Sequence, residues 1–465
     1  MSIDIVIIVV YLILILLIGI ISSRKVNTID DFAISNVRYG KTIVFITMCC
    51  SFLGGGFSFG NATEVFKNGI GNILTLFGFS IGQIFIGKYV ATKIDRFKGC
   101  ISTGNIIGSI YGKNMQVATG ILSTIICCGI LGAQVSVMGN IFEVFVGIDS
   151  YIGVIIGFGI VLIYSTLGGI KADVITDIIQ FIILIIGMPI LIIYGLNQVG
   201  GVSGILNSVP MSHWNVFNNT DIISFSSLFI TLMIGEMLVP PYVQRLLMGK
   251  NAKDTSQATI MSGYASIPFF IMTGMIGIIS YTFNPNMQPE FAMTGLVKDV
   301  LPVGVSGIII SAMMAIVLST ADSFLNSAAV GLINDVYVPL KEYDVSEKSR
   351  LKIVRIANLM IGIISISIAL LIPNLIDILT FSYSFWAPTI LPILLFCIFG
   401  ITLKKFVVWL GILVGFGSTL IWNVILNNPF NIDGLIIGFG VNTLILFMFV
   451  LFKKSIYINI KNKHT

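Results

Sequence analysis

The sequence predicts an all-α membrane protein with about thirteen transmembrane helices. Of its 465 residues, 56% are hydrophobic and only 10% are charged, and the mean hydropathy is +1.01. These values lie far outside the range of soluble domains. Apolar runs of about 20 residues, the length that crosses a bilayer, cover almost the whole chain, and two of them are interrupted, near Gly54 and near Glu236.

Helix 1 is predicted at 3–22. This run is too long for a signal peptide and is followed by Arg24 and Lys25, so we expect it to stay in the membrane. The remaining helices, 2 to 13 in order, are predicted at 43–66, 70–92, 115–142, 150–170, 174–196, 222–244, 256–283, 302–330, 351–372, 376–400, 404–426 and 433–453. We expect residues 1–465 to form a single transmembrane domain, with 404–453 as peripheral helices.

The basic residues predict the orientation of the chain. When successive loops alternate between the two sides, all but two of the 26 Lys and Arg residues fall on one side, the exceptions being Lys67 and Lys298. Excess Lys and Arg marks the cytoplasmic side. We therefore expect a multi-pass plasma-membrane protein with its N-terminus outside and its C-terminus in the cytoplasm. The net charge of +5 is interpreted as this topology signal, and neither nucleic acid nor an obligate protein partner is indicated.

Several function classes have little material in this chain. Two histidines and six cysteines, with four of the cysteines in adjacent pairs within apolar helices, do not suit a histidine-based metal site or a Ser-His-Asp triad. The longest cytoplasmic stretches, 23–42, 88–113 and 334–350, are too short to fold alone, and a channel would need a continuous polar stripe. We therefore predict a carrier of a small-molecule solute rather than an enzyme, a sensor or a channel.

The two interruptions predict an inverted repeat. In helix 2, "SFLGGGFSFG" contains three consecutive glycines, each costing a helix roughly 1 kcal/mol. In helix 7, "FITLMIGEMLVPP" places Glu236 beside Gly235 and one turn before Pro240. Broken helices at matching positions of two halves are typical of transporters, so 43–196 and 222–400 are the predicted repeats. The glycines could present carbonyl oxygens to a cation, or form a kink without a ligand.

Ionisable residues at membrane depth are costly and often functional. The sequence places four of them there: Glu64, Asp177, Glu236 and Asp322. Glu64 lies near the outer end of helix 2 and could simply pair with Lys67 three residues later. Glu236 could contact the solute, or it could support the backbone around Pro240.

Two long motifs resemble the sodium:solute symporter family. They are "IYSTLGGIKADVITDIIQFIILIIG" in helices 5 and 6 and "AIVLSTADSFLNSAAVGLINDVY" in helix 9, and the resemblance extends from residue 3 to about 453. It implies the inverted-repeat fold of the bacterial leucine transporter. It also implies import of a small organic solute by alternating access, with Na⁺ as the coupling ion.

The resemblance implies a main sodium site between the helix 2 break and helix 9. Its ligands would be the carbonyls of Cys50, Leu53 and Ile316 and the hydroxyls of Ser319 and Thr320. The residue chemistry agrees, because neutral carbonyl and hydroxyl oxygens bind Na⁺ weakly enough to release it in each cycle. Alternatively, the two hydroxyls could bond back to the preceding turn of their own helix.

Some family members have a second sodium site, at positions that correspond here to Asp177, Ser319, Asp322 and Ser323. The last three share one face of helix 9, at i, i+3 and i+4. Asp322 is a carboxylate where those members have a hydroxyl. Two carboxylates near one cation would bind it more tightly, or one would stay protonated. The cluster could thus hold sodium, carry a proton or serve as a structural network.

The solute cavity is expected between the helix 2 break, helix 7 and helix 11. The candidate lining residues are Gly55, Gly56, Phe57, Met233, Glu236, Tyr383 and Trp386. The polar side chains of the family's sugar carriers are not evident at the matching positions, which argues against a sugar. We expect an amino acid or an organic acid or amine as the solute of a sodium symporter. The alternatives are a proton-coupled symporter of the same fold and a non-transporting membrane sensor. The helix 11 aromatics could equally be bundle packing.

Overall fold

The computed structural model describes residues 3–24, 26–35, 37–217, 220–341, 345–371 and 375–452. Almost all of them are helical. The thirteen helices occupy Ile3–Ser23, Lys41–Phe52 with Gly56–Asn68, Gly71–Phe97, Lys113–Val146, Ser150–Gln198 (two helices), Ile222–Gly235 with Pro240–Leu247, Ala252–Phe283, Val305–Leu340, Glu347–Leu371, Leu375–Trp386 with Leu391–Phe399, Lys405–Ile425 and Gly434–Phe452. Short connecting helices include Ile29–Ala33 and Thr103–Tyr111.

The helix count agrees with the prediction. Within the described residues, nine helices are long and apolar enough to span a membrane, and three bent pairs bring the total to twelve. Ser150–Gln198 has 49 residues, about 73 Å of helix, which is more than twice the bilayer core of about 30 Å. It is kinked at Gly169, where φ is +52° and ψ is −155°, a backbone conformation that favours glycine. This kink separates helices 5 and 6.

Helices 2 and 7 are broken as predicted. The chain bends by 63° between the two halves of helix 2 and by 46° between those of helix 7. Helix 11 is also broken, with a bend of 46° between Trp386 and Leu391, which the sequence analysis did not predict. Pro388 lies inside this break and Pro392 directly after it. Because a proline in a helix interior removes a backbone hydrogen bond and collides with the preceding turn, these residues explain the bend.

Helix 9 forms the centre of the bundle. Val305–Leu340 is 94% buried over its most apolar window, and it packs against helices 1, 4, 5 and 6. Helices 12 and 13 pack mainly on each other. Only 28% of the residues in the most apolar part of each of these two helices are buried. The polar residues of helix 9 are therefore held in a solvent-excluded position.

Two basic residues differ from their expected loop setting. Arg245, expected in a loop, is completely buried near the end of helix 7. The Nζ atom of Lys171 donates a 2.6 Å hydrogen bond to Oδ1 of Asp31 on the short helix Ile29–Ala33.

At the other end of the bundle, Glu64 and Lys67 form the expected ion pair, with Nζ of Lys67 3.8 Å from Oε1 of Glu64. Lys25 and residues 453–465, which include the predicted cytoplasmic tail, lie outside the described residues.

Candidate functional site: an ion site and an adjoining cavity

The unwound turn of helix 2 frees a carbonyl group. In a continuous helix the N–H of Gly54 would bond to the carbonyl of Cys50. Here the N–H of Gly54 donates instead to the carbonyl of Phe52, at 2.7 Å, and a helical i to i−4 bond is formed again by the N–H of Ser58 to Gly54, at 3.0 Å. The carbonyl of Cys50 is thereby released from the backbone ladder of its own helix.

Helix 9 supplies the partner of this carbonyl. The hydroxyl of Thr320 donates to the oxygen of Cys50 at 3.0 Å, whereas the hydroxyl of Ser319 bonds back to Ile316 in its own helix at 3.1 Å. A Cβ atom on Gly54 would lie 2.7 Å from the Thr320 hydroxyl. The close approach of the two helices therefore requires glycine at this position.

The predicted main-site residues form one buried cluster. Cys50, Ile316, Ser319 and Thr320 are linked by the two contacts above, and Leu53 ends the first half of helix 2. All five are at most 3% exposed. The donor set consists of neutral carbonyl and hydroxyl oxygens, which is the chemistry that a reversibly bound alkali cation requires.

The predicted second cluster lies next to the first and contains an unexpected cation. Oδ2 of Asp177 accepts a 2.5 Å hydrogen bond from the hydroxyl of Thr47. The Nη2 atom of Arg245 lies 4.0 Å from the same oxygen and donates to the hydroxyl of Ser323 at 2.6 Å. Ser323 in turn donates to the carbonyl of Ser319 at 2.9 Å, so the two clusters are directly connected.

Asp322 is turned towards helix 5. Its Oδ2 accepts a 2.6 Å hydrogen bond from the hydroxyl of Tyr164, and its Oδ1 lies 3.4 Å from the hydroxyl of Ser323. A further carboxylate, Asp173, contacts Asn326 at 3.2 Å. Asp173 and Asp322 are both fully buried. The network thus holds three aspartates, counting Asp177, against one arginine.

A cavity of about 190 Å³ lies beside the helix 2 break. Its walls come from four helices, through the residues Gly56, Phe57, Gly60, Asn61, Glu64, Asn72, Leu76, Leu228, Leu232, Leu379, Thr380 and Tyr383. The predicted residues Gly56, Phe57 and Tyr383 are thus at the cavity. Most of the wall is apolar, and the polar groups are grouped near the outer half of helix 2.

The polar wall is held in place by helix 8. Nδ2 of Asn61 donates to the carbonyl of Phe270 at 2.8 Å and to the hydroxyl of Thr273 at 2.7 Å. Nδ2 of Asn72 then donates to Oδ1 of Asn61 at 3.0 Å. Glu64 contributes a carboxylate that accepts from Asn68 at 3.0 Å. Among the described residues of the lining, none is Lys, Arg or His, and the charged residue of the lining is Glu64, whose carboxylate lies 3.8 Å from Nζ of Lys67.

Four predicted solute residues are not among those that line this cavity: Gly55, Met233, Glu236 and Trp386. The N–H of Gly55 donates to Oε1 of Gln134 at 2.7 Å, on helix 4. Glu236 is bonded to Tyr242 and Tyr383, and Nε1 of Trp386 donates to the carbonyl of Met237 at 3.0 Å. Glu236 and Trp386 are thus engaged in contacts between the broken helices 7 and 11.

Sequence reasoning missed three polar residues of the region. Arg245 was assigned to a loop because the predicted helix 7 ends at residue 244. Asn61 and Asn72 flank the outer end of helix 2, and each stands within an apolar run. A polar amide within two turns of a predicted break is a signal that could have identified Asn61.

The comparison with known proteins decides the family. The model of the sodium:solute symporter family matches residues 32–415, which is most of the chain. The chain belongs to the sodium:solute symporter family. Similar curated relatives are the high-affinity proline transporter PutP of Bacillus subtilis (22% identical, covering 88% of this chain and 89% of the relative) and the human high affinity choline transporter 1 (24% identical, covering 78% and 67%).

Solved structures of transporters share the fold of this symporter. A Na⁺-coupled sialic acid symporter in its substrate-bound outward-open state superposes with a TM-score of 0.85, at 19% identity, over 98% of this chain and 100% of that one. MhsT in complex with L-phenylalanine superposes with a TM-score of 0.56, at 15% identity, over 90% and 99%. These matches confirm the predicted fold of the bacterial leucine transporter with its inverted repeats.

Family membership also confirms the predicted class of function. As a sodium:solute symporter, the protein is a secondary transporter in a multi-pass membrane setting, and it imports a small-molecule solute by alternating access. Its curated relatives are transporters rather than enzymes.

Proposed function

We propose that the coupling ion is Na⁺ and that it binds between the helix 2 break and helix 9. Its ligands would be the carbonyls of Cys50, Leu53 and Ile316 and the hydroxyls of Ser319 and Thr320. The observation that carries this proposal is the 3.0 Å contact between the hydroxyl of Thr320 and the freed carbonyl of Cys50. This contact brings oxygen atoms of two helices together, whereas either helix alone could supply only a few ligands to the cation.

The test is sodium-dependent uptake in proteoliposomes. Replacing Ser319 and Thr320 with alanine removes both side-chain ligands and should raise the Na⁺ concentration for half-maximal transport by at least about tenfold, roughly 1.4 kcal/mol. Ser311→Ala is the matched control, because Ser311 is a buried hydroxyl of the same helix that bonds back to Gly307 at 2.9 Å. Unchanged sodium dependence in a stable double variant would remove these hydroxyls from the site.

We further propose that the solute is a small organic compound with an amine group, such as an amino acid or an organic amine. The cavity of about 190 Å³ is smaller than a typical drug-sized pocket. Its apolar walls suit a hydrocarbon body, and the oxygens of Asn72 and Glu64 suit an N–H donor. The high-affinity proline transporter among the relatives carries an amino acid.

Competition experiments can test the solute class. Uptake of a labelled amino acid or amine should be inhibited by close analogues that keep the amine. Analogues that keep only the carboxylate, and sugars of similar size, should not inhibit. The opposite ranking would favour an organic acid and contradict the assignment of Glu64 to the solute side.

The proposed orientation places the N-terminus outside and the C-terminus in the cytoplasm. The support is the asymmetric distribution of Lys and Arg across the loops. The short helix Ile29–Ala33, with its Asp31–Lys171 ion pair of 2.6 Å, would then cover the cytoplasmic end of the bundle.

A second candidate is coupling to protons, either in place of sodium or together with it. The observation that favours it is the excess of buried carboxylates, Asp173, Asp177 and Asp322, over the single Arg245. Uptake driven by a pH gradient in sodium-free buffer would support this candidate. Uptake that requires sodium and is unaffected by the pH gradient would exclude it.

A further inference from the structure

A groove of about 660 Å³ lies beside the start of helix 10, away from the ion site and the cavity. One wall is the segment after helix 1, with Val26 and Asn27, and the other is the first three turns of helix 10. The proposed orientation of the chain, on which this inference rests, puts the groove at the cytoplasmic surface of the bilayer. We propose that the groove binds an anionic phospholipid of the cytoplasmic leaflet.

The first argument is the order of residues along helix 10. Lys348, Lys352, Arg355 and Leu359 all line the groove, and their spacing of four, three and four puts them on one face of the helix. The same face continues to Ile363. Side chains with positive charge are therefore followed, along one stripe, by apolar ones, which is the order of groups along a phospholipid.

The second argument is charge. Within the part of the chain that the structure describes, no carboxylate forms an ion pair with Lys348, Lys352 or Arg355. Lys348 and Lys352 are exposed. Basic clusters at the cytoplasmic ends of transmembrane helices, and basic pockets between them, attract anionic headgroups. A phosphate group would supply the negative charge that these side chains lack.

The third argument distinguishes a lipid from a soluble phosphate. Leu359 and Ile363 are 42% and 61% exposed, which is unfavourable in water but suits contact with an acyl chain. From Lys352 to Ile363 the helix rises about 16 Å, close to half of the bilayer core of about 30 Å. One leaflet's lipid would therefore reach from the basic residues to the end of the apolar stripe.

The groove also touches the segments that cover this end of the bundle. Nη2 of Arg355 donates to the carbonyl of Leu167 at 3.1 Å, two residues before the Gly169 kink. Oε2 of Glu347 accepts from the N–H of Ile29 at 3.3 Å. A lipid held between Asn27 and helix 10 would stabilise these contacts, so its binding is expected to raise the thermal stability of the protein.

The experiment counts bound lipid on the full-length protein in detergent. Phosphatidylglycerol or phosphatidylcholine is titrated in mixed micelles, and binding is followed by native mass spectrometry and thermal unfolding. The test variant is Lys348→Gln with Lys352→Gln, which leaves the Arg355 contact to Leu167 intact. The matched control is Lys404→Gln with Lys405→Gln, which removes two lysines from the start of helix 12. Lys348→Arg with Lys352→Arg is the conservative variant.

We expect the wild type, the control and the arginine variant to bind phosphatidylglycerol alike, and the test variant to bind it about tenfold more weakly or worse. Glycerol phosphate and a short-chain phosphatidylglycerol should compete poorly. Equal losses in the test and control variants would overturn the proposal, because they would indicate unspecific attraction. The proposal would also be overturned if the wild type bound phosphatidylcholine as tightly as phosphatidylglycerol, or if glycerol phosphate fully displaced the bound lipid. Both of these outcomes are measured on the wild type alone.

Discussion

The hydroxyl of Tyr383 on helix 11 donates a 2.5 Å hydrogen bond to Oε1 of Glu236 in the helix 7 break. The other carboxylate oxygen of Glu236 accepts from Tyr242, in the second half of helix 7. All three residues are buried. Glu236 therefore joins the two halves of helix 7 to each other and to helix 11, and both of its oxygens already have partners.

This geometry predicts that Glu236→Gln destabilises the protein. The glutamine amide has one acceptor oxygen and one N–H₂ donor, so one tyrosine hydroxyl must accept a hydrogen bond instead of donating one. Its own O–H hydrogen is then left without an acceptor in a buried site, at a cost of about 1–3 kcal/mol. Thermal unfolding in detergent should show the loss. Sodium affinity, measured as sodium-dependent stabilisation, should remain close to that of the wild type.

Tyr383→Phe provides the comparison, because it removes one hydrogen bond without adding a donor. It should lower the melting temperature less than Glu236→Gln does. If Glu236→Gln is as stable as the wild type but binds the solute weakly and with altered pH dependence, then Glu236 contacts the solute after all, and the structural role is wrong.

Arg245 is predicted to be essential for the folded state because it compensates Asp177. Removing one partner of a buried ion pair leaves the other charge unpaired and typically costs about 3–5 kcal/mol. Arg245→Gln should therefore express poorly and unfold at a lower temperature. Adding Asp177→Asn to this variant should restore part of the stability. A double variant that is less stable than Arg245→Gln would show that the two charges are not coupled.

Cys100 tests the orientation of the chain. In a background without the other five cysteines, an impermeant maleimide should label it in inverted membranes and not in intact cells. Burial and the nearby Asp335 carboxylate raise the pKa of the Cys100 thiol to about 11. Because the thiolate is the reactive form, labelling should be slow at neutral pH. Its rate should rise about tenfold for each unit by which the pH is increased, up to that pKa. Labelling of intact cells would contradict the predicted topology.

Asp31 predicts a pH-dependent contribution to stability. Burial would raise the pKa of its carboxyl, but the hydrogen bonds from Lys171 and the N–H of Asn27 outweigh burial and hold the pKa below its ordinary value. A lowered pKa stabilises the fold above the unfolded value of about 3.9, and the effect is lost as pH falls through the folded pKa. Asp31→Asn should therefore be less stable than wild type near pH 7, with the difference shrinking towards pH 3. A difference that is independent of pH would refute this assignment.

Local sequence signals were sufficient for most of the fold. Three glycines at 54–56 and the Pro240 pair marked two of the three helix breaks, because consecutive glycines and paired prolines each destabilise the interior of a helix. The contact between Thr320 and Cys50 could be anticipated from the family's helix 9 motif. For the two breaks, the determining chemistry is contained in a few adjacent residues.

The remaining features depend on contacts between distant segments. The break in helix 11 has two prolines, Pro388 and Pro392, but prolines also occur within the unbroken helices 6 and 8, as Pro189 and Pro268. The partners of Glu236 come partly from helix 11, 147 residues away. Arg245 is buried because Asp177 and Ser323 surround it, and neither is near it in sequence. Such features require the packed structure.

The single arginine among three aspartates has an electrical consequence. Arg245 is a basic side chain, and the cluster around it lies inside the bundle rather than in a loop. A charge that moves through the whole membrane field changes in energy by about 2.3 kcal/mol per 100 mV. If alternating access moves this cluster relative to the bilayer, the membrane potential acts on the carrier itself as well as on its solute, and the return of the unloaded protein should depend on voltage.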